Sequence, residues 1–246
     1  MGVAVPAAVL ALWETFSRLG ILSPRYFPAP TTVAWTLGDR LVAGDLAGDL
    51  LVTVTRLAFA FSLAAVPAVP LGLLLGMARP VRDLVEPYLA FIFPVPKITL
   101  LPFLLIILGV GEPAFVLTAA SSAFFQIVIS TLAGVQTMDR HLVEVGRNYG
   151  AHGARLFWKV ILPATLPSIF TGLRLGLGLA LVTLVAVEFI AAKSGLGHLV
   201  FRHWQMLSTP EMYAAFALVG ALGLVLTRGL RALQARMLPW QEDIGV

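Results

Sequence analysis

Cysteine is absent from the 246 residues, and charge is scarce: Asp, Glu, Lys and Arg make up 12% of the chain, about half of the roughly 25% typical of a soluble domain. Without cysteine there is neither a disulfide scaffold nor a zinc–thiolate centre. With 59% hydrophobic residues the chain is not disordered, and an ordinary soluble enzyme does not fit it either. What it has instead is long runs without charge, notably 57–78 and 113–138. These point to an all-α polytopic membrane protein. At about 20 residues per span there is room for about six transmembrane helices with short loops.

The charges place the spans within a single transmembrane domain over 1–246. A first span is expected over 1–21, with Glu14 and Arg18 in it. The Pro-containing stretch 22–48 reads as an external segment. The core helices follow over 49–232, and 233–246 forms a tail. The opening Met1-Gly2-Val3-Ala4-Val5-Pro6 lacks a basic n-region, so no cleavable signal peptide is expected. Basic residues concentrate in cytoplasmic loops. Segments 79–86, 139–159 and the C-terminal region hold nine of the 17 Lys and Arg. Those segments, and both termini, are therefore expected inside. Net charge is +4, but no basic face calls for nucleic acid.

Two stretches carry small residues at every fourth position: Ala60, Ala64, Ala68, Gly72, Gly76, and Ala164, Ser168, Gly172, Gly176, Ala180. Fourfold spacing makes a ridge on one helix face, and small residues let helix backbones approach closely in lipid. Both read as buried seams. Pro67 and Pro70 lie beside the first and are expected to bend that helix.

The most polar part of the chain is 139–159. It reads as helix, break, helix. Asp139 suits an N-cap. Gly150 suits a C-terminal position needing positive φ. A second short helix holds Leu156, Phe157, Trp158 and Val160, and Pro163 and Pro167 are expected to restart the chain as the next span. A compact, partly apolar helical pair in water needs a partner to cover it.

Glu144-Val145-Gly146, three residues (Arg147, Asn148, Tyr149), Gly150, nine residues beginning at Ala151, then Val160-Ile-Leu162-Pro163 resembles the EAA loop of binding-protein-dependent ABC importer permeases. The family pattern has Ala-Ala where Val145-Gly146 stands here and Ile at position 160. Gly146 weakens the first helix by about 1 kcal/mol relative to Ala. Further stretches are similar to the nitrate/sulfonate/taurine branch: Phe27-Pro-Ala-Pro30, Pro70-Leu-Gly-Leu-Leu-Leu-Gly76, Phe93-Pro-Val-Pro96, Thr171-Gly-Leu-Arg174 and Glu188-Phe-Ile-Ala-Ala-Lys-Ser-Gly-Leu-Gly197.

The resemblance implies a type I ABC importer permease fold in a bacterial inner (plasma) membrane, with 139–163 as the cytoplasmic coupling loop. It also implies a second permease copy, two cytoplasmic ATPase subunits and an external solute-binding protein. ATP and Mg would be bound by the ATPase, with no cofactor in this chain. No GxxxxGK[ST] occurs: the three lysines, Lys97, Lys159 and Lys193, follow Pro96, Trp158 and Ala192. The implied solute is a small anion (nitrate, a sulfonate or taurine), or alternatively a thiamine-precursor pyrimidine or other heterocycle.

Charges inside spans are costly and are functional candidates. Arg174 either attracts an anionic solute, pairs with a carboxylate or snorkels to the inner face. Glu188 pairs with Lys193, holds the Ser194–Gly197 turn or lines the pathway. Lys97 is a snorkelling residue or a pathway cation, and Phe93 with its neighbouring prolines packs the helix or shapes a gate. An intramembrane hydrolase is a remote rival. Ser121, Ser122 and Ser130 lie in a span, but all four histidines fall outside the spans. His198 and His203 have no carboxylate at metal-ligand spacing.

Overall fold

The computed structural model describes residues 4–240. Residues 1–3 of the expected first span and 241–246 of the expected tail lie outside them. Every regular element among the described residues is helical: α1 Ala4–Arg18, α2 Pro30–Val42, α3 Asp45–Met77, α4 Arg79–Ile92, α5 Leu101–Leu108, α6 Glu112–Gln136, α7 Arg140–Asn148, α8 Gly153–Leu156, α9 Leu162–Ala191, α10 Leu196–Gln205 and α11 Thr209–Met237. Four of them or their extensions are long and apolar enough to cross a membrane: Leu46–Met77, Glu112–Gln136, Gly153–Ala191 and Thr209–Met237. A fifth candidate is the pair Arg79–Ile92 and Lys97–Leu108, bent by 89°. Among the described residues the helix over the expected first span, α1, has 15 residues and is not among the candidate spans.

Prolines and glycines set the boundaries. Pro30 opens α2 behind an extended Ala29, where its missing N–H costs nothing. Gly20, at φ +73°, follows the end of α1. The Phe93–Pro96 interruption divides α4 from the 3₁₀ turn Lys97–Leu100, as its two prolines suggest. Helix α3 runs unbroken through Pro67 and Pro70. One expectation fails. Pro163 does not restart the chain, because a π-type turn over Phe157–Ile161 carries α8 directly into α9. Such a turn takes up an irregularity in the hydrogen-bond ladder without ending the helix.

The chain divides into two compact units. The first comprises residues up to Arg56 together with Leu184–Gly223. Its core is Leu46, Leu196, Leu199, Val200, Ala215 and Leu218. Within it Glu14 accepts the Thr31 N–H at 3.0 Å and so caps the start of α2. Ser17, buried, donates to the Phe27 carbonyl at 2.8 Å and anchors the Phe27–Pro30 stretch.

The second unit comprises Leu57–Thr183 and the residues from Leu224 onward. Here α6 is the central helix, and both seams are real. A Cβ added at Gly72 or Gly76 would fall 2.6 Å from Thr131 Cβ or 2.4 Å from Val135 Cβ. On α9, one at Gly172 or Gly176 would fall 2.7 Å from Ser130 Cβ or 2.8 Å from Ile127 Cγ1. Ala60, Ala64, Ala68 and Ala180 are buried. With no side chain in the way, backbones pack closely and gain dispersion contacts that lipid cannot match.

Candidate functional site

In the second unit, the segment 139–163 builds a small amphipathic platform. Asp139 accepts the His141 N–H at 2.9 Å and caps α7. At the other end Gly150 has φ +79°. Its N–H reaches the Arg147 carbonyl, while the Ala151 N–H reaches the Gly146 carbonyl, both at 2.9 Å. This pair of bonds is a Schellman motif, which needs a left-handed residue at position 150. Ala151 is buried.

The expected coupling residues divide into an inner and an outer set. A Cβ on Gly146 would lie 2.9 Å from Val160 Cγ2 and 3.2 Å from Leu156 Cδ1, so glycine lets α7 close onto the following helix. Leu162 and Pro163 are half-buried. Outward, Leu142, Val145 and Tyr149 stand exposed at i, i+3 and i+7 of one face, with Tyr149 88% accessible. Trp158, also exposed, stacks edge-on against Phe157 with ring centroids 5.2 Å apart. Polar Glu144 and Arg147 are exposed beside them. His141 Nδ1 lies 3.4 Å from Glu144 Oε2.

Of the expected pathway residues, Phe93, Lys97 and Arg174 belong to this second unit and Glu188 to the first. The Lys97 ammonium donates to the carbonyls of Ile92 at 2.6 Å, Phe93 at 3.1 Å and Val95 at 2.8 Å. It also sits 4.7 Å above the Phe125 ring. Its three donors are thus used on the broken end of α4, where a cation meets the negative end of the helix dipole. Phe93 is exposed. Arg174, half-buried within α9, has no hydrogen bond or ion pair among the described residues.

Glu188 is fully buried in the first unit, and its partner is not Lys193, which is exposed. Arg56 Nη1 donates to Glu188 Oε1 at 2.9 Å and to the Ser194 carbonyl at 2.7 Å. Thr53 Oγ1 lies 3.0 and 2.9 Å from the two carboxylate oxygens and accepts the Leu196 N–H at 2.8 Å. The Gly197 N–H donates to Glu188 Oε2 at 3.0 Å, and the Gly195 N–H to Asp49 Oδ1 at 2.5 Å. Three free N–H groups at the start of α10 are thereby satisfied by two carboxylates and a hydroxyl. The contribution of Asp49, Thr53 and Arg56 was not anticipated. Their spacing of four and three residues, beside the uncharged run 57–78, was the available signal.

The glycines of this stretch follow from the same geometry. A Cβ on Gly197 would lie 2.1 Å from the Val185 carbonyl oxygen, and one on Gly195, at φ +106°, 2.4 Å from Glu188 Cδ. The Ser194–Gly197 turn is moulded around the carboxylate.

Residues 68–240 match the family described as binding-protein-dependent transport system inner membrane component. The taurine transport system permease protein TauC of Escherichia coli K12 is 34% identical, over 99% of this chain and 90% of its own length. The putative aliphatic sulfonates transport permease protein SsuC of Bacillus subtilis is 30% identical, over 98% and 88%. The nitrate import permease protein NrtB of Synechocystis is 30% identical, over 79% and 70%. A chain of the MetNI methionine ABC transporter, solved in inward-facing conformations, superposes with a TM-score of 0.66 at 19% identity, covering 75% of this chain and 92% of that one. That likeness shows the type I importer permease fold.

Proposed function

The chain belongs to the binding-protein-dependent transport system inner membrane component family, and on that footing we propose that it carries small anions of the sulfonate, taurine or nitrate class through the membrane, driven by ATPase subunits that dock on α7. The protein is a permease subunit of an ABC importer, not an enzyme. In the proposed assembly two copies form the pathway, two cytoplasmic ATPases bind ATP and Mg, and an external binding protein delivers the solute. The C-terminal region and α7 face the cytoplasm, and the N-terminus does too with α1 as a further crossing.

The observation that carries the docking role is the outward face of α7. Leu142, Val145 and Tyr149 are exposed on a capped helix in the most polar stretch of the chain. Exposed apolar groups rimmed by charge mark interaction surfaces. The anionic solute is supported by the relatives' names and by Arg174, a cation within a span without a protein partner among the described residues.

The test is solute uptake by proteoliposomes holding the permease, its ATPase and its binding protein. V145E and Y149A alter only exposed side chains. Both are expected to insert normally and to lose binding-protein-stimulated ATP hydrolysis together with uptake. Undiminished uptake in both variants overturns the docking role.

A further inference from the structure

We propose that an open cavity at the ends of α3 and α6, lined by Arg79, Arg82 and Arg140, binds the phosphate group of a membrane phospholipid. The cavity measures about 620 Å³ and lies wholly within the second unit. Met77, the last residue of α3, and Val135 near the end of α6 give it an apolar wall. Both helices are candidate spans. The point where two spans end is the level at which hydrocarbon gives way to headgroups.

The charges divide into used and unused groups. Arg82 Nε lies 3.6 Å from Asp83 Oδ1 and 3.8 Å from Glu86 Oε2, so the two lining carboxylates are held by one guanidinium. Arg79 and Arg140 also line the cavity, and neither has a hydrogen bond or ion pair among the described residues. Two free guanidiniums beside an apolar wall match a phosphate diester with its glycerol and first acyl carbons. Guanidinium groups bind phosphate oxygens in a bidentate fork. Each of the two arginines is the first residue of its helix, α4 or α7, where a basic side chain opposes the helix dipole. A bound anion removes that conflict. Basic pockets between spans on the cytoplasmic side take lipid headgroups. The orientation assumed is the one given by the basic loops; the transport role is not needed.

The same phosphate chemistry is offered by free inorganic phosphate, so the test separates the two sources. The full-length permease in neutral detergent is titrated with phosphatidylglycerol, with phosphatidylcholine or with inorganic phosphate, and bound ligand is read by native mass spectrometry. Phosphatidylglycerol is expected to bind with at least about tenfold preference over phosphatidylcholine. R79Q/R140Q is expected to weaken it at least about tenfold, the order of effect of a single lost charge-assisted hydrogen bond. R25Q/K193Q removes the same charge at exposed positions of the first unit and is expected to change nothing. Saturable inorganic phosphate lost in R79Q/R140Q supports the phosphate site but assigns it to the free anion. Phosphatidylglycerol binding that survives R79Q/R140Q, or that R25Q/K193Q weakens equally, overturns the proposal. So does an absence of both phosphatidylglycerol preference and phosphate binding.

Discussion

Arg56 and Glu188 are 132 positions apart in the chain, yet they meet at 2.9 Å with side chains 5% and 0% exposed. A buried pair adds little over an apolar substitute, but removing one partner leaves an uncompensated buried charge. R56M is therefore expected to cost about 3–5 kcal/mol, lowering Tm in detergent by roughly 6–20 °C. E188Q leaves the buried Arg56 guanidinium without its counter-charge and puts an amide donor near the Thr53 hydroxyl and the Gly197 N–H, so a loss of similar size is expected. The double variant R56M/E188Q should lose less than the sum of the two. K193Q should leave Tm within about 2 °C, as expected of a surface change. A large loss in K193Q with none in R56M would contradict the pairing.

Gly197→Ala tests the turn moulded around that carboxylate. Its Cβ meets a backbone oxygen at 2.1 Å, which no rotamer can relieve. A loss of about 1–3 kcal/mol or more is expected from overpacking, seen as a lower Tm and less folded protein on gel filtration. Gly178 has nothing within 4 Å of an added Cβ, so G178A should be neutral or gain up to about 1 kcal/mol from helix propensity. Equal effects at the two positions would show that close approach is not what selects glycine at 197.

What could be read from the sequence was local. Asp139 and Gly150 sit where capping chemistry wants them, and both seams declared themselves through spacing alone. Partners distant in sequence did not. Lys193 was the nearest cation to Glu188 along the chain, but the five-residue separation crosses the end of α9 and leaves it exposed. Arg56 reaches the carboxylate because α3 presents Asp49, Thr53 and Arg56 on one face. Pro163 misled for a different reason. A proline marks a missing donor, not a helix end, and the π-type turn before it absorbs the irregularity. Gly146 looked like a weakness of α7, whereas its cost to the helix is offset by closeness to Val160 and Leu156.

A double-mutant cycle checks that last point. Helix propensity alone would make G146A more stable by about 1 kcal/mol. The added Cβ, 2.9 Å from a stiff β-branched side chain, is expected to cancel this gain or reverse it. V160A should open the space, giving a favourable coupling of about 1 kcal/mol between the substitutions in thermal unfolding. Strict additivity would mean that the two residues are not packed against each other.

Lys97 separates a structural cation from a pathway cation. Its ammonium is bound to three carbonyls, so K97M frees those acceptors and should destabilise by about 1–3 kcal/mol. Uptake by the folded fraction should keep its KM for solute. A KM raised tenfold or more at unchanged Tm would instead place the charge on the route of the solute.

His203, on α10 outside the candidate spans, gives the pH dependence. Burial, then the charge of Arg202, pushes its pKa below 6.5, with Arg40 acting in the same direction and Glu211 against it. Its Nδ1 is buried without a hydrogen-bond partner among the described residues. The neutral ring is the form the fold accepts. The unfolded chain therefore binds more protons just below pH 6.5, and stability rises with pH in that range. This contribution is fully present above about pH 6.5 and is lost as the pH falls toward the depressed value. Tm of the wild-type chain should thus fall between pH 7 and pH 5.5 by more than that of H203Q, which has no proton to take up. Parallel pH profiles for the two proteins would show that the ring titrates alike in the folded and unfolded states.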